Sequence, residues 1–389
     1  MKNIVVMARE APPRTVGDGI TVHAFDPSRH VPVVELADLK NIDLLWRGQD
    51  ARYARLLIDF ESRFATFDVL VANWVNPFHP EWLANRFPSM VKIYGCIDDP
   101  HSSYRRTVGS LFAFDAAFGT TPSYAPGLSM EHALKQWGVP ETTWCPLSAW
   151  VDPPPRLEVT PDHERDIEAN WKSRPAGVLY VGGFYPSKYN RLVEWKRALG
   201  AELSIYGRWP LNGRADLAAR LVGKLTNIGP ERLRRAMRIA GWEDFVGHRS
   251  KGFLGRVRSL TNSERAREYF RHRIALNMHL SIRRETGNLR MYEAPFHGLM
   301  LLCDRGADDL HKTIFEEDRE AVFYDDVEDG IDKARYYLKN DSARERIARA
   351  GYERVVREYT SDKCLLRFLK WATRVRKRSA GNYSPNETL

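Results

Sequence analysis

Residues 177–188 read Gly177-Val178-Leu179-Tyr180-Val181-Gly182-Gly183-Phe184-Tyr185-Pro186-Ser187-Lys188. A short unbroken apolar run that stops at two glycines is a buried strand entering a turn. Without a Cβ, the backbone at Gly182 and Gly183 can approach a phosphate closely, and a helix starting just beyond would offer its unpaired N–H groups to the same anion. Lys188 adds a point charge suited to a diphosphate. The dinucleotide signature G-x-G-x-x-G is absent, so a nicotinamide dinucleotide is not the natural ligand. By itself a Gly-Gly pair after a strand is also an ordinary tight turn, and its meaning depends on what surrounds it.

Downstream, Glu202–Gly207, Ile274–Met278, Leu299–Cys303 and Ala321–Tyr324 read as further strands, with a helical stretch around Arg191–Leu199. Two helices close the chain, one around Gly330–Lys339 and one from Asp362 onward, before a tail over Ser379–Leu389. Upstream, Ile4–Met7, Phe67–Ala72, Val91–Cys96 and Ala113–Thr120 read as strands. Tyr53, Leu56, Leu57, Phe60 and Phe64 have the spacing of one helical face. Strands alternating with helices imply α/β units. Three consecutive prolines, Pro153–Pro155, followed by Pro161 make residues 152–161 a stiff connector between two such halves. A chain of 389 residues fits two domains, and 43% hydrophobic with 28% charged residues is globular rather than disordered.

The composition excludes several classes. No run reaches membrane-spanning length, and the apolar start at Ile4–Met7 is too short for a signal peptide, so a cytoplasmic enzyme is expected. Cys96, Cys145, Cys303 and Cys364 are scattered without a Cys-x-x-Cys pair, which argues for reduced thiols rather than a disulfide framework or a zinc site.

A second stretch, Arg284-Glu285-Thr286-Gly287-Asn288-Leu289-Arg290-Met291-Tyr292-Glu293-Ala294, can carry chemistry. With Gly287-Asn288 in a loop entering a helix, Glu293 falls in the first helical turns and Glu285 in the loop. Carboxylates so placed can accept paired hydrogen bonds from vicinal hydroxyls while the intervening N–H groups face a phosphate. Two surface glutamates on a helix would give the same spacing.

A phosphate loop followed about a hundred residues later by E-x7-E resembles the C-terminal domain of GT-B glycosyltransferases. Asn288–Ala294, Ile274–His279, Ala348–Val355 and Glu358-Tyr359-Thr360 resemble the CgeB-like branch of these enzymes, over roughly residues 177–368. The resemblance implies two Rossmann-like domains facing across a cleft, with a C-terminal helix crossing back to the first. It implies an N-terminal acceptor domain over 1–155, a donor domain over 170–365 with a basic helical insertion at about 212–272, and a closing helix and tail over 366–389. A nucleotide sugar such as a UDP-sugar is the implied co-substrate, with Glu293 on the ribose, Glu285 on the donor sugar, and Gly182, Gly183, Lys188, Gly287, Asn288, Leu289 and Arg290 around the phosphates. The family loop resembles V-G-R-x-x-x-x-K; Lys188 holds the lysine position, but Gly183 stands where the arginine would be, and Arg208 or Arg290 is the replacement. No Asp-x-Asp motif suggests a metal-bound diphosphate, so no metal is expected.

Gly95–Tyr104 also looks like that branch and supplies Asp98, Asp99 and His101 as candidates for acceptor-side catalysis. Asp or His can act as the general base of an inverting transfer, whereas Asp-Asp-Pro can equally be a turn and helix cap. His279, at a strand end near the donor site, is either a site residue or a hydrogen-bonded structural histidine. Residues 213–273 hold 15 basic and 6 acidic groups, leaving 44 of each sign elsewhere, so this segment carries the whole net charge of +9. Helices over Glu231–Ala240 and Ser263–Arg273, the latter capped by Ser263, would project Arg234 with Arg238 and Arg267 with Arg271 from common faces. With Arg249, Lys251 and Arg256 they fit an anionic partner, or are a solvated arginine-rich face. The acceptor that follows is a surface polysaccharide or glycolipid at the inner membrane surface. The alternatives are DNA, as in phage enzymes that glycosylate modified bases, and a non-catalytic nucleic-acid-binding module on the same fold. The basic run Arg367–Arg378 reads as a membrane-surface helix or as a helix end complementing its dipole.

Overall fold

The computed structural model describes residues 2–16, 19–73, 76–96, 108–120, 130–146, 148, 157–171, 173–183, 186–207, 257–279, 288–305 and 314–379. The chain divides into two compact units, Met1–Glu158 with Glu358–Leu389, and Val159–Arg357.

The first unit holds β1 (Asn3–Met7), β2 (Arg14–Val16), β3 (Ile20–Phe25), β4 (Val69–Asn73), β5 (Val91–Cys96), β6 (Ala116–Gly119) and β7 (Glu141–Trp144). They form one sheet in the order β2-β3-β1-β4-β5-β6-β7, parallel except for the antiparallel β2–β3 pair. The second unit holds β8 (Ala176–Val181), β9 (Leu203–Tyr206), β10 (His272–Asn277), β11 (Met300–Asp304) and β12 (Val322–Tyr324), all parallel, in the order β12-β11-β10-β8-β9. In each sheet the first parallel strand, β1 or β8, lies between the second and the third. Strand order therefore reverses beside β1 and beside β8, and such crossovers are where open α/β sheets bind ligands.

Helix α1 (Ala51–Phe64) buries Tyr53, Leu56, Leu57, Phe60 and Phe64 as its spacing requires, and Asp50 caps it by accepting from the Arg52 and Tyr53 N–H groups. Phe25, Phe60 and Phe64 meet edge-on or tilted at 5.2–5.7 Å, giving one face of the first sheet an aromatic core. The other face of that sheet is covered by the last helix of the chain.

Three helices, not two, follow β12: α5 (Val327–Lys339), α6 (Asp341–Glu358) and α7 (Ser361–Ser379). The middle one escapes sequence reading because it is dense in charge and buries small or charged residues, Arg344, Ala348 and Gly351 with Ile347 and Val355. A Cβ at Gly351 would lie 2.5 Å from the Glu320 carbonyl oxygen, so α6 approaches a neighbouring backbone too closely for any side chain there. Three strands are also additional to the sequence reading. β2, β3 and β7 are half-buried and rich in Thr, Glu and His, so they lack the apolar run that marks a central strand. Pro161 does not extend the connector; it is the first residue of a helix, Pro161–Asn170, capped by Thr160. Residues 152–156 and the tail beyond Ser379 lie outside the described residues.

Helix α7 overturns the membrane-surface reading of Arg367–Arg378. Its apolar residues Leu365, Phe368, Leu369, Trp371, Ala372 and Val375 are buried in a cluster with Ile4, Val6, Val69, Val71, Val91, Ile93 and Phe118, so they are not available to a bilayer. Arg376 is ion-paired to Asp68. Among the described residues no helix is long and apolar enough to cross a membrane. All four cysteines are buried and none of them is in a disulfide.

Phe368, 3% exposed and edge-on to Phe118 at 5.1 Å, tests the packing of α7. Phe368→Ala should cost about 3–5 kcal/mol in denaturant unfolding, the usual cost of emptying a buried phenylalanine site. A loss below about 1 kcal/mol would mean that α7 does not cover the sheet.

Candidate functional site

At the carboxyl end of β8 the Gly182 N–H donates to the Tyr206 carbonyl at 2.9 Å, continuing the ladder with β9 by one residue. A Cβ at Gly182 would sit 2.5 Å from the Tyr180 hydroxyl, so the side chain must be absent for the strand to end this way. Gly183 is exposed, and helix α2 (Pro186–Leu199) begins three residues later, as the phosphate-loop reading requires. Lys188, in its first turn, is only 3% exposed.

One turn further, Arg191 of α2 reaches two other strand ends. Its guanidinium donates to Asp304 Oδ2 at 2.9 Å and to the His279 carbonyl at 2.7 Å. Asp304, the last residue of β11, also accepts from the His279 backbone N–H at 2.9 Å and from His279 Nδ1 at 2.7 Å. Burial opposes the charge on His279, but the Cys303 sulfur and the Asp304 carboxylate outweigh it and raise the imidazole to about 10. Burial pushes Asp304 up, yet His279 and Arg191 overcome it and hold its carboxyl below the usual range. Ligand atoms of His279, Cys303 and Asp304 lie within 4.8 Å of one another. Since Arg191 and His279 occupy both oxygens of Asp304, the cluster is an ion-pair network bracing β10 and β11.

Strand β10 ends at Asn277, whose Oδ1 accepts from Arg290 Nε at 3.2 Å and whose Nδ2 donates to the Cys303 sulfur at 3.1 Å. Arg290 opens helix α4 (Arg290–Phe296), and its N–H is held by Asn288 Oδ1 at 3.1 Å. Glu293 lies in the first turn of α4 and is 2% exposed. Its Oε2 accepts from the Tyr269 hydroxyl at 3.2 Å, and its Oε1 pairs with Arg265 at 3.1 Å. Burial raises its pKa, against the pull of Arg265 and Arg290.

Arg265 and Tyr269 are one turn apart on helix α3 (Asn262–Arg271) and form its inward face. The cap is Thr261 with Glu264, a reciprocal capping box, rather than Ser263; threonine two residues earlier meets the N3 glutamate at the right spacing. Arg267 and Arg271 are exposed, and Arg271 pairs with Glu268 at 3.3 Å. Beyond Glu293, His297 Nδ1 donates to the Glu293 carbonyl at 2.8 Å, and the His297 ring stacks on Tyr269 at 5.1 Å.

Of the residues marked by sequence, Gly182, Gly183, Lys188, Asn288, Leu289, Arg290 and Glu293 are placed at or after the ends of β8 and β10, with Asn277 joining Arg290 to β10. Asp98, Asp99, His101, Arg208, Arg234, Arg238, Arg249, Lys251, Arg256, Glu285 and Gly287 lie outside the described residues. Arg191, Asp304, Arg265 and Tyr269 were not singled out. Asp304 had a readable signal, a charged residue ending an apolar run at the carboxyl end of a strand. Arg265 was one basic residue among fifteen in its segment, and only the turn of α3 separates it from its outward neighbours.

Residues 191–370 match the family model described as glycosyl transferase-like. No curated protein matches. Among solved structures, the chain is similar to an alpha-glucosyltransferase in complex with UDP-glucose and DNA containing an abasic site, at 12% identity and TM-score 0.57, covering 96% of this chain and 99% of that one. It is similar to the sucrose-phosphate synthase of Thermosynechococcus elongatus, at 11% identity and TM-score 0.53, covering 95% and 87%. Anabaena HepE in complex with UDP gives 10% identity and TM-score 0.51, covering 96% and 100%. At such identities these likenesses establish the fold, which is GT-B. The fold and the match over residues 191–370, which span less than half of the chain, both point to a glycosyltransferase.

Burial lowers His297 to about 4, so its ring is buried neutral. The unfolded chain takes up that proton near pH 6.5 while the folded chain does not, so this contribution is intact above pH 6.5 and lost as pH falls toward 4. The loss should amount to about 3 kcal/mol in urea melts across that window. His297→Asn, whose amide can still donate to the Glu293 carbonyl, should remove most of the slope; an unchanged slope would place the acid sensitivity elsewhere.

Proposed function

We propose that this chain moves a sugar from a UDP-sugar to an acceptor hydroxyl in the synthesis of a surface polysaccharide or glycolipid, working in the cytoplasm at the inner membrane surface. The observation that carries the donor side is Glu293, a carboxylate buried in the first turn of α4 and oriented by Arg265 and Tyr269. An ionised carboxylate accepts two hydrogen bonds at once, which suits the vicinal hydroxyls of a ribose. The spacing to Glu285 supports the E-x7-E, CgeB-like reading, with Glu285 on the donor sugar. Gly182, Gly183 and Lys188 would face the diphosphate, Arg290 supplying the cation that Gly183 lacks. Residues 1–155 would take the acceptor and 170–365 the donor. UDP in complex with Anabaena HepE, and UDP-glucose with the alpha-glucosyltransferase, support uracil as the base.

In the reaction the acceptor oxygen forms a bond to the anomeric carbon as the bond to the diphosphate breaks. The electron pair leaves with the nucleoside diphosphate, and the acceptor proton passes to a base. Asp98, Asp99 and His101 are the candidates for that proton in an inverting course, and the departing diphosphate takes it in a retaining one. The cationic groups that stabilise the leaving charge belong to the protein, so no metal is required in this scheme.

A second reading has DNA as the acceptor. It is favoured by the basic segment 213–273 and by the DNA in the complex of the similar alpha-glucosyltransferase. Backbone phosphate binding would then weaken steeply with salt.

UDP-glucose in excess should raise the melting temperature, because a ligand that binds only the folded state adds to its stability. Glu293→Gln keeps the shape and a hydrogen bond to Tyr269 but removes the charge, and should lower donor affinity by about tenfold or more, equivalent to ~1.4 kcal/mol. Donor turnover at the wild-type rate in Glu293→Gln would remove Glu293 from the site. Retention on DNA that vanishes with added salt, without flotation on anionic vesicles, would replace the glycan acceptor by DNA.

A further inference from the structure

The first unit contains a cleft of about 450 Å³ that none of the chemistry above uses. It lies among the helix Leu39–Arg47, the start of the helix Pro80–Arg86 and the 3₁₀ turn Val108–Ala113. Its size falls in the range of small-molecule sites, about 300–1,000 Å³.

Phe112 lines it with 67% of its surface exposed, although an aromatic ring is normally covered. The turn that carries Phe112 sits tightly on the helix, since a Cβ at Gly109 would lie 2.5 Å from Leu39 Cδ2. Opposite in character is His79, only 5% exposed, with Trp46 stacked on its ring at 5.4 Å. His79 Nε2 donates to Asp43 Oδ1 at 3.3 Å, so the buried ring holds that carboxylate in place. Arg47 donates to the same Asp43 oxygen at 2.8 Å and holds that carboxyl below the usual range, so it is ionised at neutral pH. Oδ2 of Asp43 has no hydrogen bond among the described residues.

The charges of the lining decide the ligand class. Asp38, Asp43 and Glu81 outnumber Lys40 and Arg47, so the cleft is not built to attract a polyanion. A sugar ring has an apolar C–H face and a rim of hydroxyl donors. An exposed aromatic matches the first, and an acceptor-rich wall matches the second. We infer that this cleft binds the acceptor as a neutral carbohydrate, one ring resting on Phe112 and its hydroxyls donating to Asp43. The 3₁₀ turn begins seven residues after His101, the last of the acceptor-side candidates Asp98, Asp99 and His101. The meaning of the cleft as an acceptor site rests on the glycosyltransferase reading, but its ligand can be tested separately.

The test is calorimetric titration of the full chain with maltotetraose, cellotetraose and mannotetraose, and with a short DNA duplex, beside the UDP-glucose thermal shift. At least one tetrasaccharide should bind, and Phe112→Ala and Asp43→Asn should each weaken it by about tenfold, with the UDP-glucose shift unchanged. Phe112 is exposed, so its removal tests contact rather than folding. Failure of all three tetrasaccharides to bind, or equal affinity in Phe112→Ala, overturns the inference, as does displacement of a bound tetrasaccharide by the duplex. Saccharide binding lost in Phe112→Ala but without any UDP-glucose shift would uphold the cleft and overturn the donor reading instead.

Discussion

A carboxylate cannot be buried alone, and the second unit is arranged around that constraint. Glu293 is 2% exposed, and an uncompensated charge at that depth would take a proton instead. Arg265 and Tyr269 oppose this without fully offsetting burial, which leaves the carboxyl pKa raised, and because they stand one turn apart they fix which face of α3 turns inward. Once that face is set, Arg267 and Arg271 must lie on the solvent side. A requirement at the site thus dictates the orientation of a helix whose other face carries excess positive charge.

The same logic operates at the neighbouring strand ends. β8, β10 and β11 are parallel, so their carboxyl ends come to one edge of the sheet, and the reversal of strand order beside β8 opens a space there. Polar residues that end apolar strands, Asn277 and Asp304, are then placed together by topology rather than by sequence proximity. Arg191 from α2 and Arg290 from α4 close on them from the two following crossovers.

Central strands and helices with one clean apolar face were legible in the sequence, because burial imposes a period that composition cannot hide. β8, β10 and β11 and helix α1 are of this kind. Edge strands such as β7, half-buried and polar, carry no such signal, and α6 disguises its buried face with Arg344 and Gly351. Among the residues the sequence marks, Gly182 and Glu293 stand out because a glycine turn and a spaced carboxylate are local patterns. Arg265 could not be found this way, since its role exists only through a partner 28 residues away, and Asp304 offered only its place at the end of an apolar run, its partner lying 25 residues back. The reading of Arg367–Arg378 failed for a related reason: the basic residues were visible, but the sheet that claims their helix's apolar face is built from the other end of the chain.

Charge separates along the same line as burial. The buried carboxylates Asp304 and Glu293 are both matched by cations, Arg191 with His279 on the first and Arg265 on the second, because an unmatched charge there would be too costly. The net +9 resides in residues 213–273, and where that segment is described Arg258, Arg267 and Arg271 are exposed while Arg265 and Arg273 are half-buried on partners. Fold stability asks nothing of an excess so placed, since surface charge of one sign acts on partners and solubility rather than on the fold. Helix α3 thus joins the two, its inner face pairing with Glu293 and its outer face presenting Arg267 and Arg271 to solvent.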